Sequence, residues 1–183
     1  PTTTLAQLFS RVTYPVFSSI QDDSERMKKG LKESLNAIAF VNAPMMIGLA
    51  LIAHPLVMVL LTEKWAGCIP YLQLLCIIGF LHPFIWMNEN ILPSKGRSDL
   101  FLNLTVIHKI LIAINIAITR QWGIIALVYG MIITEIINYF LHSLYTRRLI
   151  GYSMWGQLRD MSPYLFMSFL MGIVLFALDS LTF

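Results

Sequence analysis

The chain has 183 residues, of which 57% are hydrophobic and 13% charged, with a formal net charge of +3 and a mean hydropathy of +0.70. Soluble domains carry about 25% charged residues, and so few charges cannot cover the surface of a soluble domain of this size. Two cysteines exclude a disulfide scaffold, the apolar content excludes disorder, and what remains is an all-α integral membrane protein.

Residues 1–20 mix apolar residues with Gln7, Arg11 and several Ser and Thr, and carry no signal-peptide pattern. They read as the end of a helix that precedes the first full span. With Pro1 at one end and Phe183 at the other, closing an apolar run, the chain reads as a piece of a longer polypeptide. Residues 21–33, with Arg26, Lys28, Lys29 and Lys32, read as a basic loop.

Runs poor in charge then mark five spans of the length a bilayer needs. Ser34–Thr62 has no Asp, Glu, Lys or Arg for 29 residues. His54-Pro55 divides it, because proline lacks an N–H and strains the turn before it. The span is expected at 34–54, with a short interfacial helix over 55–62 leading to Trp65. Ala66–Asn88 is charge-free for 23 residues and predicts a span at 68–91. Leu100–Thr119 holds one charge, Lys109, and predicts 99–119. Gln121–Thr146 holds one, Glu135, and predicts 123–145. Met161–Leu178 holds none for 18 residues and predicts 162–182. Pro44 and Pro83 lie inside spans and should bend them.

The loops alternate in charge. One side carries nine Lys/Arg (26, 28, 29, 32, 95, 97, 147, 148, 159), ten with Arg11, and the other only Lys64 and Arg120. The positive-inside rule makes the rich side cytoplasmic. These charges belong to loops, so they are no sign of nucleic-acid binding.

Cys68 and Cys76 lie about 12 Å apart along one helix and cannot bridge each other. The four histidines show no HExxH or i,i+4 metal spacing, and no CxxC, P-loop or GxSxG is present. No cofactor, metal or catalytic residue is expected, and the protein does not read as an enzyme.

Ionisable residues at mid-membrane are costly and mark function by default. Lys109 and Glu135 each fall about 15 Å below the outer surface, on neighbouring antiparallel spans joined by RQWG at 120–123. A Lys–Glu pair is expected. Thr105, His108, Lys109, Asn115 and Thr119 share a sector of about 120°, and Glu135, Asn138 and His142 share one face of the next helix. Both stripes should turn inward, either as helix–helix glue or as a substrate or ion site. Asn88, Glu89 and Asn90 form a polar knot at the cytoplasmic end of their span, either a hydrated helix end or, with Arg97, a cytoplasmic gate. Asn36 and Asn42 are expected to make interhelical hydrogen bonds.

The order of these features resembles a known family. Residues 15–26, PVFSSIQDDSER, resemble the "fP-x-l-s-x-l-q-d-d" segment of bacterial polysaccharide flippases. Pro44 with Met46–Leu49 resembles the next span, and residues 60–76, LLTEKWAGCIPYLQLLC, resemble the "l-l-G-x-k-W-x-x-a-x-p-x-l-q-i-L" block. Thr62 stands where that block usually has Gly. Residues 96–104, GRSDLFLNL, then Gly123-Ile124, Tyr129-Gly130 and 149–152, LIGY, continue the match. The chain thus resembles the C-terminal half of a Wzx-type flippase, in the superfamily of the MATE exporters.

The resemblance implies part of a two-bundle, alternating-access transporter in the bacterial inner membrane. The missing N-terminal bundle and membrane lipids would be its partners, and a polyprenyl-diphosphate-linked oligosaccharide for surface polysaccharides such as lipopolysaccharide or capsule its cargo. Lys109 is then the candidate for the diphosphate, with His108, Asn115, Asn138 and His142 beside it, and Glu135 the candidate for ion coupling. A MATE-like drug or cation exporter, a membrane-embedded glycan enzyme and a scaffold are the alternatives. The short outer loops speak against the enzyme, and Lys109 against a cation exporter.

Overall fold

A computed structural model describes residues 17–182. Residues 1–16, expected to end a preceding helix, lie outside the described residues. After a helical turn at 17–19, the chain runs α1 (Ser24–Leu51), α2 (Ala53–Leu61), a 3-10 helix (Glu63–Cys68), α3 (Ile69–Ser94), α4 (Ser98–Thr119), α5 (Ile124–Ile150) and α6 (Met154–Thr182). Five of these segments are long and apolar enough to cross a membrane, and the described residues contain no strand. The protein is a multi-pass, all-α membrane protein. α1 packs between α6 and α3, α3 between α1 and α5, and α4 lies mainly on α5.

Two helices start earlier than the hydropathy suggests. α1 begins at Ser24, inside the expected loop 21–33, because Asp23 caps it by accepting from the Arg26 N–H at 2.9 Å. α6 begins at Met154, eight residues before its expected span at 162. Its first turns are amphipathic and bury Gln157 and Met161. Hydropathy finds the part of a helix that meets lipid, whereas these turns stand at the basic end of the bundle. Lys32 of α1 pairs there with Asp160 of α6 at 2.8 Å, and Tyr152 donates to the same carboxylate at 2.8 Å. Burial first, and then Asp160, raise the pKa of the Tyr152 phenol, so the hydroxyl stays a donor.

The short helix expected at 55–62 is α2, which leaves Val59 and Leu60 exposed on its outer side. It ends at Thr62, whose φ of 71° and ψ of 167° lie in a region that glycine alone occupies without strain. This accounts for the glycine that the resembling block carries here.

Two prolines inside helices, Pro83 and Pro163, free backbone carbonyls that side chains take up. Pro83 cannot donate to Gly79 O. Asn42 Nδ2, from α1, reaches that oxygen at 3.4 Å and Phe80 O at 3.0 Å. Pro163 likewise frees Arg159 O, which accepts from Ser162 Oγ at 2.8 Å. The expected interhelical role of Asn42 is therefore served on α3.

The tight core sits toward the basic end, where Phe17, Met27, Leu31 and Leu35 meet Phe84, Met87, Ile91, Tyr139 and Ile150. Within it, Asn88 and Gln157 exchange two amide hydrogen bonds of 2.9 and 3.0 Å. Tyr139 donates to Gln157 Oε1 at 2.9 Å, and Gln157 Nε2 reaches Ser143 Oγ at 3.4 Å. One glutamine of α6 thus ties α3 and α5 together. On the far side of α3 lies an apolar groove of about 960 Å³ between α1, α3 and α6, lined by Met46, Cys76, Phe80, Pro163, Phe166 and Phe169 among others.

Candidate functional site

Three helices bring one face each to a second polar centre. α3 supplies His82, Trp86 and Glu89, at positions i, i+4 and i+7. α4 supplies Thr105, His108 and Lys109, and α5 supplies Glu135, Asn138 and His142. Together with Ile85 they line a cavity of about 240 Å³. His82, His108, Lys109 and Glu135 sit near the middle of helices of bilayer-spanning length, where unpaired charge is expensive.

Glu135 is the hub. Its residue is only 7% exposed, and its Oε1 lies 3.3 Å from His108 Nε2 and 3.6 Å from His82 Nε2. Two imidazoles from two helices therefore flank one buried carboxylate. Such a cluster can hold a proton on carboxyl or imidazole and exchange it, because the three groups share one environment. The His82 ring also lies 5.9 Å from the Trp86 ring.

The expected Lys109–Glu135 pair is not formed: among the described residues, the partners of Glu135 are the two histidines. Equal depth did not make a contact, because His108 precedes Lys109 on α4 and occupies the side nearer α5. Lys109 lines the same cavity from an exposed position at its rim. His108, Lys109, Glu135, Asn138 and His142 are thus brought together as their stripes suggested. Asn138 and His142 are buried, 5% and 1% exposed.

Asn115 is placed elsewhere. It packs over Gly130, where a β-carbon would stand 1.7 Å from its Oδ1, and its Nδ2 donates to Leu127 O at 3.3 Å. Thr119 donates to Asn115 O at 2.7 Å. This outer part of the α4 stripe joins α4 to α5 and does not reach the cavity. The four residues grouped as a gate also part company. Asn88 is fully buried in the amide pair with Gln157, and Glu89 lines the cavity. Asn90 accepts at its backbone oxygen from Ser94 Oγ at 2.7 Å. Arg97 pairs with Asp99 at 3.0 Å on the exposed α3–α4 turn.

His82 and Trp86 were not singled out from sequence as site residues. The signal was present in the spacing of His82, Trp86 and Glu89 along one helical face.

These features define a class: a multi-pass helical membrane protein with a charged centre at mid-membrane. Residues 1–70 match the polysaccharide biosynthesis protein family. The chain is 31% identical over 186 residues to the lipopolysaccharide biosynthesis protein WzxC of Escherichia coli (strain K12), covering 96% of this chain and 37% of that protein. It is 30% identical to an uncharacterized membrane protein in the cps region of Klebsiella pneumoniae, over 75% of this chain and 29% of that protein. It is 28% identical to the teichuronic acid biosynthesis protein TuaB of Bacillus subtilis (strain 168), over 55% of this chain and 21% of that protein. The resemblance to polysaccharide flippases drawn from the sequence is borne out by these relatives. The chain spans less than two fifths of the length of any of them. No solved structure matches it significantly.

Proposed function

We propose that the chain is one bundle of an inner-membrane transporter that moves polyprenyl-diphosphate-linked oligosaccharide units for surface polysaccharide synthesis. The relatives supply the biosynthetic setting. The observation that carries the reading is the charged cavity at mid-membrane with Lys109 at its rim. A lysine facing hydrocarbon at that depth costs about 2.5–3.5 kcal/mol or more. The face that carries it therefore turns to water or to further helices of the full-length protein, which is what a wet translocation path requires.

In this reading Lys109 is a fixed cation for the diphosphate. Thr105, His108, Asn138 and His142 offer hydrogen-bonding groups, and Trp86 an aromatic face for sugars. Glu135, between His82 and His108, is the coupling carboxylate, and Glu89 stands on the cytoplasmic side of the path. Alternating access would come from rocking this bundle against the remainder of the protein. A small-cation exporter would use Glu135 and Trp86 equally well, but a cation at the rim opposes a cationic cargo.

The test is Lys109→Gln and Glu135→Gln in the full-length gene product. Both should stop surface glycan export and let lipid-linked oligosaccharide accumulate, at normal protein levels. Normal glycan in both variants would remove the cavity from the transport path.

A further inference from the structure

The buried polar stripe of α5 does not stop at Glu135. Asn138, His142 and Thr146 continue it, in steps of three, four and four residues, toward the cytoplasmic end. About 16 Å of helix separates Glu135 from Thr146. Two atoms along this stripe are buried without a hydrogen-bond partner, His142 Nδ1 and Thr146 Oγ1, on residues 1% and 0% exposed. Thr105, Thr119 and Thr134 each donate to the carbonyl one turn back, at 2.9, 2.7 and 2.8 Å. Thr146 makes no such bond.

A buried polar atom left unpaired costs about 1–3 kcal/mol. Buried polar groups without a protein partner are commonly satisfied by internal water. His142 also lines the 240 Å³ cavity, which has room for several waters at about 30 Å³ each.

We infer that His142 and Thr146 line an internal water path that carries protons between the Glu135 cluster and the cytoplasm, with the His142 imidazole as the relay. The inference rests on the reading of Glu135 as the coupling carboxylate. The proton leaves the Glu135 carboxyl through cavity water and is taken by one ring nitrogen of His142. The other ring nitrogen releases a proton to water beside the Thr146 hydroxyl, which leaves a carboxylate at Glu135 and a neutral imidazole.

The groups that share this surrounding are His82 and Glu89 from α3, His108 and Lys109 from α4, and Glu135 on α5 itself. From α6 comes the neutral Gln157, through Ser143. Lys32 of α1 and Asp160 of α6 pair with each other at the cytoplasmic end. His142 is a positioning and relay residue here; among the described residues it forms no ion pair with a carboxylate.

The test uses inverted membrane vesicles holding the full-length protein, so that the outer medium sets the cytoplasmic-side pH. The cargo is the lipid-linked oligosaccharide of the native membrane, and the readout is the rate at which it becomes protected inside. His142→Ala should slow translocation roughly 10²-fold, the scale of a lost proton-transfer group, and imidazole added to the medium should restore it. Thr146→Val should slow it less and gain nothing from imidazole. If His142→Ala does not accumulate, His142→Asn is read in the same imidazole assay. Native rates in the His142 variant, or a defect that imidazole leaves unchanged, would overturn the relay. Glu135→Gln in the same vesicles separates the two readings. A native rate there removes the coupling carboxylate itself, whereas an inactive Glu135→Gln beside a native His142→Ala removes only the relay.

Discussion

Two buried polar clusters lie next to each other on α3 and α5 and follow opposite rules. In the amide cluster of Asn88, Tyr139, Ser143 and Gln157, each buried side-chain group has a partner, and all four are neutral amides or hydroxyls. In the cavity cluster, one carboxylate faces two imidazoles, a lysine stands at the rim, and His142 Nδ1 lacks a hydrogen bond. A fully satisfied network rigidifies the helices that share it. A partly satisfied one keeps polar capacity for something that comes and goes, such as water, a proton or a ligand. In the proposed reading the first cluster is the pin of the bundle and the second its working centre.

The sharpest way to break this comparison is to remove charge from the cavity. Glu135→Gln and Lys109→Gln should each reduce export by orders of magnitude, while unfolding of the purified protein in detergent shifts little. Next, Gln157→Leu should do the reverse. It leaves Asn88 and Tyr139 buried without their partner, so stability should fall by about 2–4 kcal/mol, with export per folded molecule unchanged. Asn88→Leu added to Gln157→Leu should restore part of that loss, because the unpaired amide is removed as well. Comparable loss of export per molecule in Gln157→Leu would mean that the pin is part of the moving machinery.

Smaller effects belong to contacts outside both clusters. Gly130→Ala drives a β-carbon into Asn115 and should cost about 1–3 kcal/mol in the same unfolding assay. Thr62→Gly relieves the one positive-φ residue other than glycine among the described residues, and should stabilise by about 1 kcal/mol. A destabilised Thr62→Gly would show that the Thr62 side chain contributes more than its backbone strain costs.

Much of this fold was legible because lipid imposes a simple rule. Runs poor in charge mark the five crossings, His54-Pro55 marks the break before α2, and the unusual Thr62 coincides with strained backbone. The inward stripe of Glu135, Asn138 and His142 was also legible, since one helix fixes its own faces. What could not be read was which helix meets which. Helical period places Lys109 and Glu135 at one depth but does not decide whether Lys109 or its neighbour His108 faces α5. It also could not bring His82 across from α3. Gln157 lay in what reads as a loop, because a helix extending past the membrane loses the hydropathy signal that announces it.

The most direct test of the central claim is to replace Glu135 by Gln in the full-length gene of the source bacterium. Inner-membrane lipids would be assayed by mass spectrometry beside surface glycan. The account predicts normal amounts of the protein, accumulated polyprenyl-diphosphate oligosaccharide and lost surface glycan. Unchanged lipids and unchanged glycan would contradict it.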